Sequence, residues 1–191
     1  MQFHPDKCKL LRITNKINIF QSNYNIHVVN IEKTEAAKYL GIVIDSRLKW
    51  KKQYKEVSQK ASAVLGLLTR NFSHCPKHIK SKCYTTLVRP ILEYGCSVWD
   101  PHFQIDKNSL EKVQKRAARF TTNNYVMESG NSDTNLKSLG WDYLEERRIR
   151  NKLTYFQKAR LKLIDIPTEH LHLKKRKTRL GGDGPTYARF Y

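Results

Sequence analysis

Apolar residues in the first 45 positions come in short runs, and beyond Trp50 they recur at helical spacing. The runs at 10–14, 26–29 and 39–44 are rich in Ile, Val and Tyr and are separated by polar, Asn-rich stretches, which predicts short strands. Trp50, Tyr54, Val57, Ala61, Val64, Leu65 and Leu68 then form one stripe of an α-helix. Asp45 or Ser46 is placed to cap its start, and Asn71, Ser73 and Pro76 to end it. Lys51, Lys52, Lys55 and Lys60 fall off the stripe.

A second helix is expected from Pro76 or Lys77 to Val88 on the spacing of Ile79, Cys83 and Leu87, ending where Pro90 disfavours helical backbone at Arg89. The aromatic segment 91–99, with Gly95 inside it, reads as a short buried helix. Over 106–120, Leu110, Val113, Ala117 and Phe120 share one arc, while Lys112, Lys115, Arg116 and Arg119 share another. A last helix spans 142–163, with Leu144, Ile149, Leu153, Phe156 and Leu163 as core positions. The predicted class is α+β, mainly α: a small antiparallel β element at the N-terminus, then a bundle of about four helices. Three regions follow: 1–45, 46–164, and a basic tail over 165–191 without periodicity.

Charge changes the picture more than composition does. Apolar residues at 39% and charged residues at 28% are ordinary for a globular chain. However, 36 Lys and Arg against 17 Asp and Glu leave +19, beyond the magnitude of roughly 2–8 that keeps a small domain soluble. A charge of this size calls for a polyanion, and nucleic acid is the commonest one. The competing partner is a membrane surface, but no apolar run approaches the roughly 20 residues of a bilayer span. The N-terminus also lacks a secretory apolar region, so a nuclear or cytoplasmic location is expected. Cys8, Cys75, Cys83 and Cys96 are scattered and expected to be free thiols. Cys75 with His78, and His170 with His172, do not make the two close ligand pairs of a zinc site.

Catalytic constellations are not evident in the chain. Two-metal nucleotidyl transfer needs clustered carboxylates, and those here are dispersed or adjacent on one helix, as in Glu145-Glu146. Gly181-Gly182-Asp183-Gly184 does not open a helix and reads as a turn, not a phosphate loop. Binding features are better represented. Cations along a face suit phosphate contact, and Lys112, Lys115, Arg116 and Arg119 form one such face. Arg147 and Arg148 open a densely cationic last helix, and Lys174, Lys175, Arg176 and Lys177 cluster in the tail as a nuclear address or a phosphate-binding arm. Runs of this kind are ordinarily solvated faces, and the overall +19 is what favours binding.

Several segments, in order, resemble the C-terminal part of non-LTR retrotransposon reverse transcriptases of the jockey/CR1-like kind. They are Phe3-His4-Pro5-Asp6-Lys7-Cys8-Lys9, Lys38-Tyr39-Leu40-Gly41-Ile42 and Leu48-Lys49-Trp50. Leu87-Val88-Arg89-Pro90-Ile91-Leu92-Glu93-Tyr94 and Ser97-Val98-Trp99-Asp100-Pro101 follow. The series closes with Leu110 through Phe120, then Leu139-Gly140-Trp141 and Leu144 through Arg148.

The resemblance implies that Lys7 matches a palm lysine following the catalytic aspartates, although with no such aspartates nearby an ordinary turn lysine after Pro5-Asp6 is the better reading of the residues. It further implies that Tyr39, Leu40 and Gly41 belong to the primer-grip hairpin, where the residues themselves suggest a strand edge bent at Gly41. The helices up to Phe120 would match a thumb that clasps template–primer by its backbone. The partners implied are RNA, DNA or an RNA–DNA hybrid, with no membrane and no small-molecule substrate. The family's catalytic aspartates, which hold Mg2+ in the complete enzyme, match nothing in this chain. The chain is therefore expected to need no cofactor and to lack polymerase activity alone, as a truncated element copy or incomplete gene model would. The alternative is a basic nucleic-acid-binding protein, host-recruited or a relic, with no polymerase role.

Overall fold

A computed structural model of the chain describes residues 4, 8–14, 16, 22–26, 29–126 and 131–165. It separates into two compact units, Met1–Arg148 and Ile149–Tyr191. The fold is α+β and mainly helical, with small sheets near the N-terminus.

Each sheet of the first unit has two strands. β1 (Lys9–Leu11) pairs in parallel with β4 (Glu32–Thr34), so one pair departs from the expected antiparallel arrangement. β2 (Asn25–Ile26) and β3 (Val29–Asn30) are antiparallel partners of each other, where the apolar run suggested one strand. The run at 39–44 is likewise two strands, β5 (Ala36–Tyr39) and β6 (Ile42–Asp45), paired antiparallel across Leu40-Gly41. Two-stranded ribbons are marginal alone, and β6 is held from outside by Gln53, whose side-chain oxygen accepts the Val43 N–H at 2.8 Å.

The helix α1 (Lys51–Asn71) buries Tyr54, Val57, Ala61, Leu65 and Leu68 from the expected stripe, and adds Gln53. Neither Asp45 nor Ser46 caps it. The Asp45 carboxylate instead accepts the N–H groups of Arg47 (2.9 Å) and Lys49 (3.0 Å), closing the turn ahead of the helix. Trp50 then enters in the left-handed region at φ 55°. The Tyr54 hydroxyl, desolvated and beside Asp106, is pushed up to about 12.

The second helix does not stop before Pro90. α2 (Lys77–Cys83) passes into a π-turn over Tyr84–Val88 and then into α3 (Arg89–Glu93), with Pro90 in its first turn. A π-turn widens the backbone ring, and Pro is tolerated where a helical segment restarts because no N–H is needed there. Chain direction changes instead at Gly95 (φ 63°), after which α4 (Cys96–Trp99) forms. Gly95 holds left-handed backbone that strains any other residue, and a Cβ there would lie 2.7 Å from Ile42 Cδ1 and push that side chain of the β5–β6 hairpin aside.

The helix α5 (Gln104–Thr122) buries Leu110, Val113, Ala117 and Phe120 as its periodicity requires. α6 (Asn131–Ser138) is polar and short, and no apolar repeat announced it. α7 (Leu144–Arg160) buries Leu144 in the first unit. In the second unit Ile149, Leu153 and Leu163 are exposed, contrary to the core role expected of them. An apolar period marks a face that could be covered, not what covers it.

The centre of the first unit is Tyr84. Its ring stacks on Trp141 with centroids 4.3 Å apart. Its hydroxyl donates to Gln114 Oε1 at 2.6 Å, and Gln114 Nε2 donates to the Asp142 carbonyl at 2.9 Å. Burial pushes the Tyr84 hydroxyl far up, so it remains a donor. Lys80 is buried as well, donating to Asn123 Oδ1 at 2.7 Å with its ammonium 4.9 Å from the Phe120 ring centroid.

Glu111 is a buried acid in the same unit, and burial raises its pKa despite the Glu145 N–H it accepts at 3.0 Å. An acid raised in the folded state contributes stability below its unfolded pKa and loses it as pH rises through the folded pKa. Glu111→Gln keeps an acceptor for the Glu145 N–H and removes that loss. The variant should therefore gain stability relative to the parent in urea titrations as pH goes from 4 to 7. A relative loss over that range would contradict the assignment.

Candidate nucleic-acid interface

The β5–β6 turn is built for projection. Leu40 (φ 47°) and Gly41 (φ 81°) are both left-handed, the signature of the type I′ turn that matches strand twist. Glycine suits this backbone, but leucine in it costs about 1–2 kcal/mol. The turn is pinned by the Tyr94 hydroxyl, which donates to the Leu40 carbonyl at 2.9 Å. A Cβ on Gly41 would meet Tyr94 Cε1 at 3.5 Å. Meanwhile the side chains of Tyr39 and Leu40 are 66% and 72% exposed. The tip thus presents two apolar side chains on a strained, externally braced turn.

Behind the turn lies an open cleft of about 380 Å³ between the hairpin, α1 and α3, lined in part by Gly41, Gln53, Glu56, Lys60, Ile91 and Tyr94. Lys38 on β5 reaches Glu56 on α1 at 2.6 Å across its edge. Gln53, Lys60 and Tyr94 were not singled out as site residues in the sequence. No local signal marked Gln53: along the chain it is an ordinary polar residue off the α1 stripe, and only the structure buries it.

The cations read from the sequence separate into two groups. Lys112 and Arg116 are exposed on α5, one helical turn apart, with Arg119 half-buried a turn further on. Arg116 Nη2 donates to the Ser62 carbonyl of α1 at 3.1 Å, which fixes it at the seam between the two helices. The exposed Lys51, Lys52, Lys55 and Lys60 belong to that neighbouring helix.

The other cations are engaged within the protein. Lys115 pairs with Asp133 at 2.9 Å and lies 6.0 Å from the Tyr143 ring centroid. That ammonium holds the Asp133 carboxyl below the usual carboxylate range. Arg147 grips Glu93 through both Nε and Nη2, the latter at 3.1 Å, and this bidentate pairing raises its pKa. Arg148 is fully buried, with Nε donating to Asp100 Oδ1 at 2.8 Å. It has no surface to offer a ligand and is a core residue, because the α7 start that carries it packs inward. Lys7, Lys174, Lys175, Arg176 and Lys177 lie outside the described residues.

Among the described residues no three His, Cys, Asp or Glu side chains converge. None of the four cysteines is disulfide-bonded. No helix among the described residues is long and apolar enough to cross a membrane.

No protein-family model matches the chain. No solved structure matches it either. Over 100 residues it is 26% identical to a curated protein of Drosophila melanogaster, the "Probable RNA-directed DNA polymerase from transposon X-element". The match covers 51% of this chain and 11% of that protein. In sequence, therefore, the chain is related to a transposon reverse transcriptase.

Proposed function

We propose that this chain is the thumb and primer-grip part of a non-LTR retrotransposon reverse transcriptase of the jockey/CR1-like kind, binding template–primer nucleic acid without supplying the reaction centre. The observation that carries this reading is the braced β5–β6 hairpin on a helical unit whose α1 and α5 carry exposed cations. A clasp needs such an arrangement: a rigid projection to hold one strand end and a cationic wall for its phosphates. The sequence relationship to a transposon polymerase supports it. Lys112, Arg116 and Arg119 are the phosphate contacts proposed on α5, with the tail cluster Lys174–Lys177 as a further arm. The ligands are RNA, DNA or their hybrid, in the nucleus or cytoplasm.

The test is binding of the purified chain to a labelled RNA–DNA hybrid, duplex DNA and single strands across a salt series. The logarithm of affinity should fall linearly with log salt. Converting Lys112, Arg116 and Arg119 together to Ala should flatten the slope by about 0.9 for each phosphate contact removed. Arg147→Ala and Arg148→Ala should leave the slope unchanged in whatever fraction remains folded. An unaltered slope in the triple variant, or equal and weak binding to every ligand, would sink the interface.

A further inference from the structure

The cleft beside the β5–β6 turn has chemistry that a grip on phosphates does not use. Its volume, 380 Å³, lies near the lower end of the range of about 300–1,000 Å³ found for small-molecule sites. Val57, Pro90 and Ile91 give it apolar walls, and Tyr94 adds an aromatic ring. Two polar groups at this cleft have unused capacity. Gln53 is buried and spends its oxygen on the Val43 N–H, while its Nε2 makes no hydrogen bond among the described residues. Glu56 accepts Lys38 on Oε1, and its second oxygen has no hydrogen-bond partner among them. A donor and an acceptor are therefore offered beside apolar and aromatic walls, with Lys60 also lining the cleft.

We propose that this cleft receives an unpaired nucleobase at the end of the bound nucleic acid, walled by Tyr94 and read on its edge by Gln53 Nε2 and Glu56. A nucleobase matches each feature: it has a flat face that stacks on an aromatic ring, and an edge carrying donors and acceptors together. A phosphate does not, because the Glu56 carboxylate would repel it. Lys60 is placed for the phosphate of the same nucleotide. The strained, exposed Leu40 becomes intelligible as part of this device, since a turn held at a cost while showing its side chain to solvent points to function. This assignment rests on the nucleic-acid reading above.

The experiment compares a blunt RNA–DNA hybrid with the same hybrid carrying one unpaired 2-aminopurine nucleotide, using the full chain. The overhang should bind about tenfold more tightly, a change corresponding to about 1.4 kcal/mol and within the range for base–aromatic stacking, and its fluorescence should change on binding. Glu56→Ala should abolish the preference while blunt affinity is kept, and Tyr94→Ala should abolish the preference and also weaken blunt binding, since it releases the Leu40 carbonyl. Tyr94→Phe, which loses the bond to Leu40 but keeps the ring, should retain most of the preference. Circular dichroism of each variant separates misfolding from lost recognition. If neither hybrid binds, the nucleic-acid reading itself falls, and this assignment with it. If the unaltered chain binds both equally, if the preference survives Tyr94→Ala in a folded variant, or if Glu56→Ala lowers blunt and overhang affinities in parallel, the cleft is not a base site although the clasp stands.

Discussion

Trp99→Ala is expected to lower the free energy of unfolding by about 3–5 kcal/mol, the cost of emptying a large aromatic site in a packed core. Trp99 is 0% exposed, and its Nε1–H donates to the Tyr94 carbonyl at 2.8 Å. Alanine would leave a cavity and also orphan that carbonyl, which adds to the transfer and packing loss. The damage should not stay local. Tyr94 braces the Leu40 carbonyl, and Gly95 packs against Ile42, so the residues next to Trp99 seat the β5–β6 hairpin. Trp99→Phe separates the contributions, since the ring volume is mostly kept and the donor is lost; a cost of about 1–3 kcal/mol is expected there. Urea unfolding followed by far-ultraviolet circular dichroism reads both. A loss below about 1 kcal/mol for Trp99→Ala would mean that the site collapses without cost and does not seat the hairpin.

The second large effect is at the Asp100–Arg148 pair, and it should be asymmetric. Breaking a buried pair costs about 3–5 kcal/mol, because the surviving charge is stranded away from water. The two partners differ in how stranded they would be: the Arg148 side chain is 0% exposed and that of Asp100 is 20% exposed. Among the described residues, Arg148 Nη1 and Nη2 already lack hydrogen-bond partners. Removing Asp100 therefore leaves the worse orphan, a guanidinium that stays charged at any pH of interest. Asp100→Ala should cost the full amount and Arg148→Met distinctly less, since the methionine stem refills the volume. The double variant should be less damaging than the sum of the two single changes. Equal costs would overturn the asymmetry, and strict additivity would show that the pair is not energetically coupled.

These two sites also mark where local pattern stops informing. The α1 stripe from Tyr54 to Leu68 and the α5 arc from Leu110 to Phe120 could be read directly, because helical period is a property of residues three or four apart. The same holds for the excess of cations and for the polar positions of Lys112 and Arg116. By contrast, Arg147, Arg148 and Arg150 are near neighbours in sequence and look equivalent there. One of them is a bidentate partner of Glu93 and the next is sealed in the core against Asp100, because acids 54 and 48 positions away arrive from α3 and the end of α4. Pro90 announced a helix end on local grounds, and a π-turn over Tyr84–Val88 carried the chain through it.

What the sequence determined by itself was the helical class, the main buried faces, the basic character and the kinship signalled by motifs in order. The tertiary structure alone decided which cations remain available, that Leu40 takes a left-handed turn braced by Tyr94, and that Gln53, Glu56 and Tyr94 meet around one cleft. The physical reason is range: periodicity and charge are summed over neighbours along the chain. Burial, pairing and cavity shape depend instead on groups brought together from distant positions by packing, and a linear pattern carries no register for those encounters.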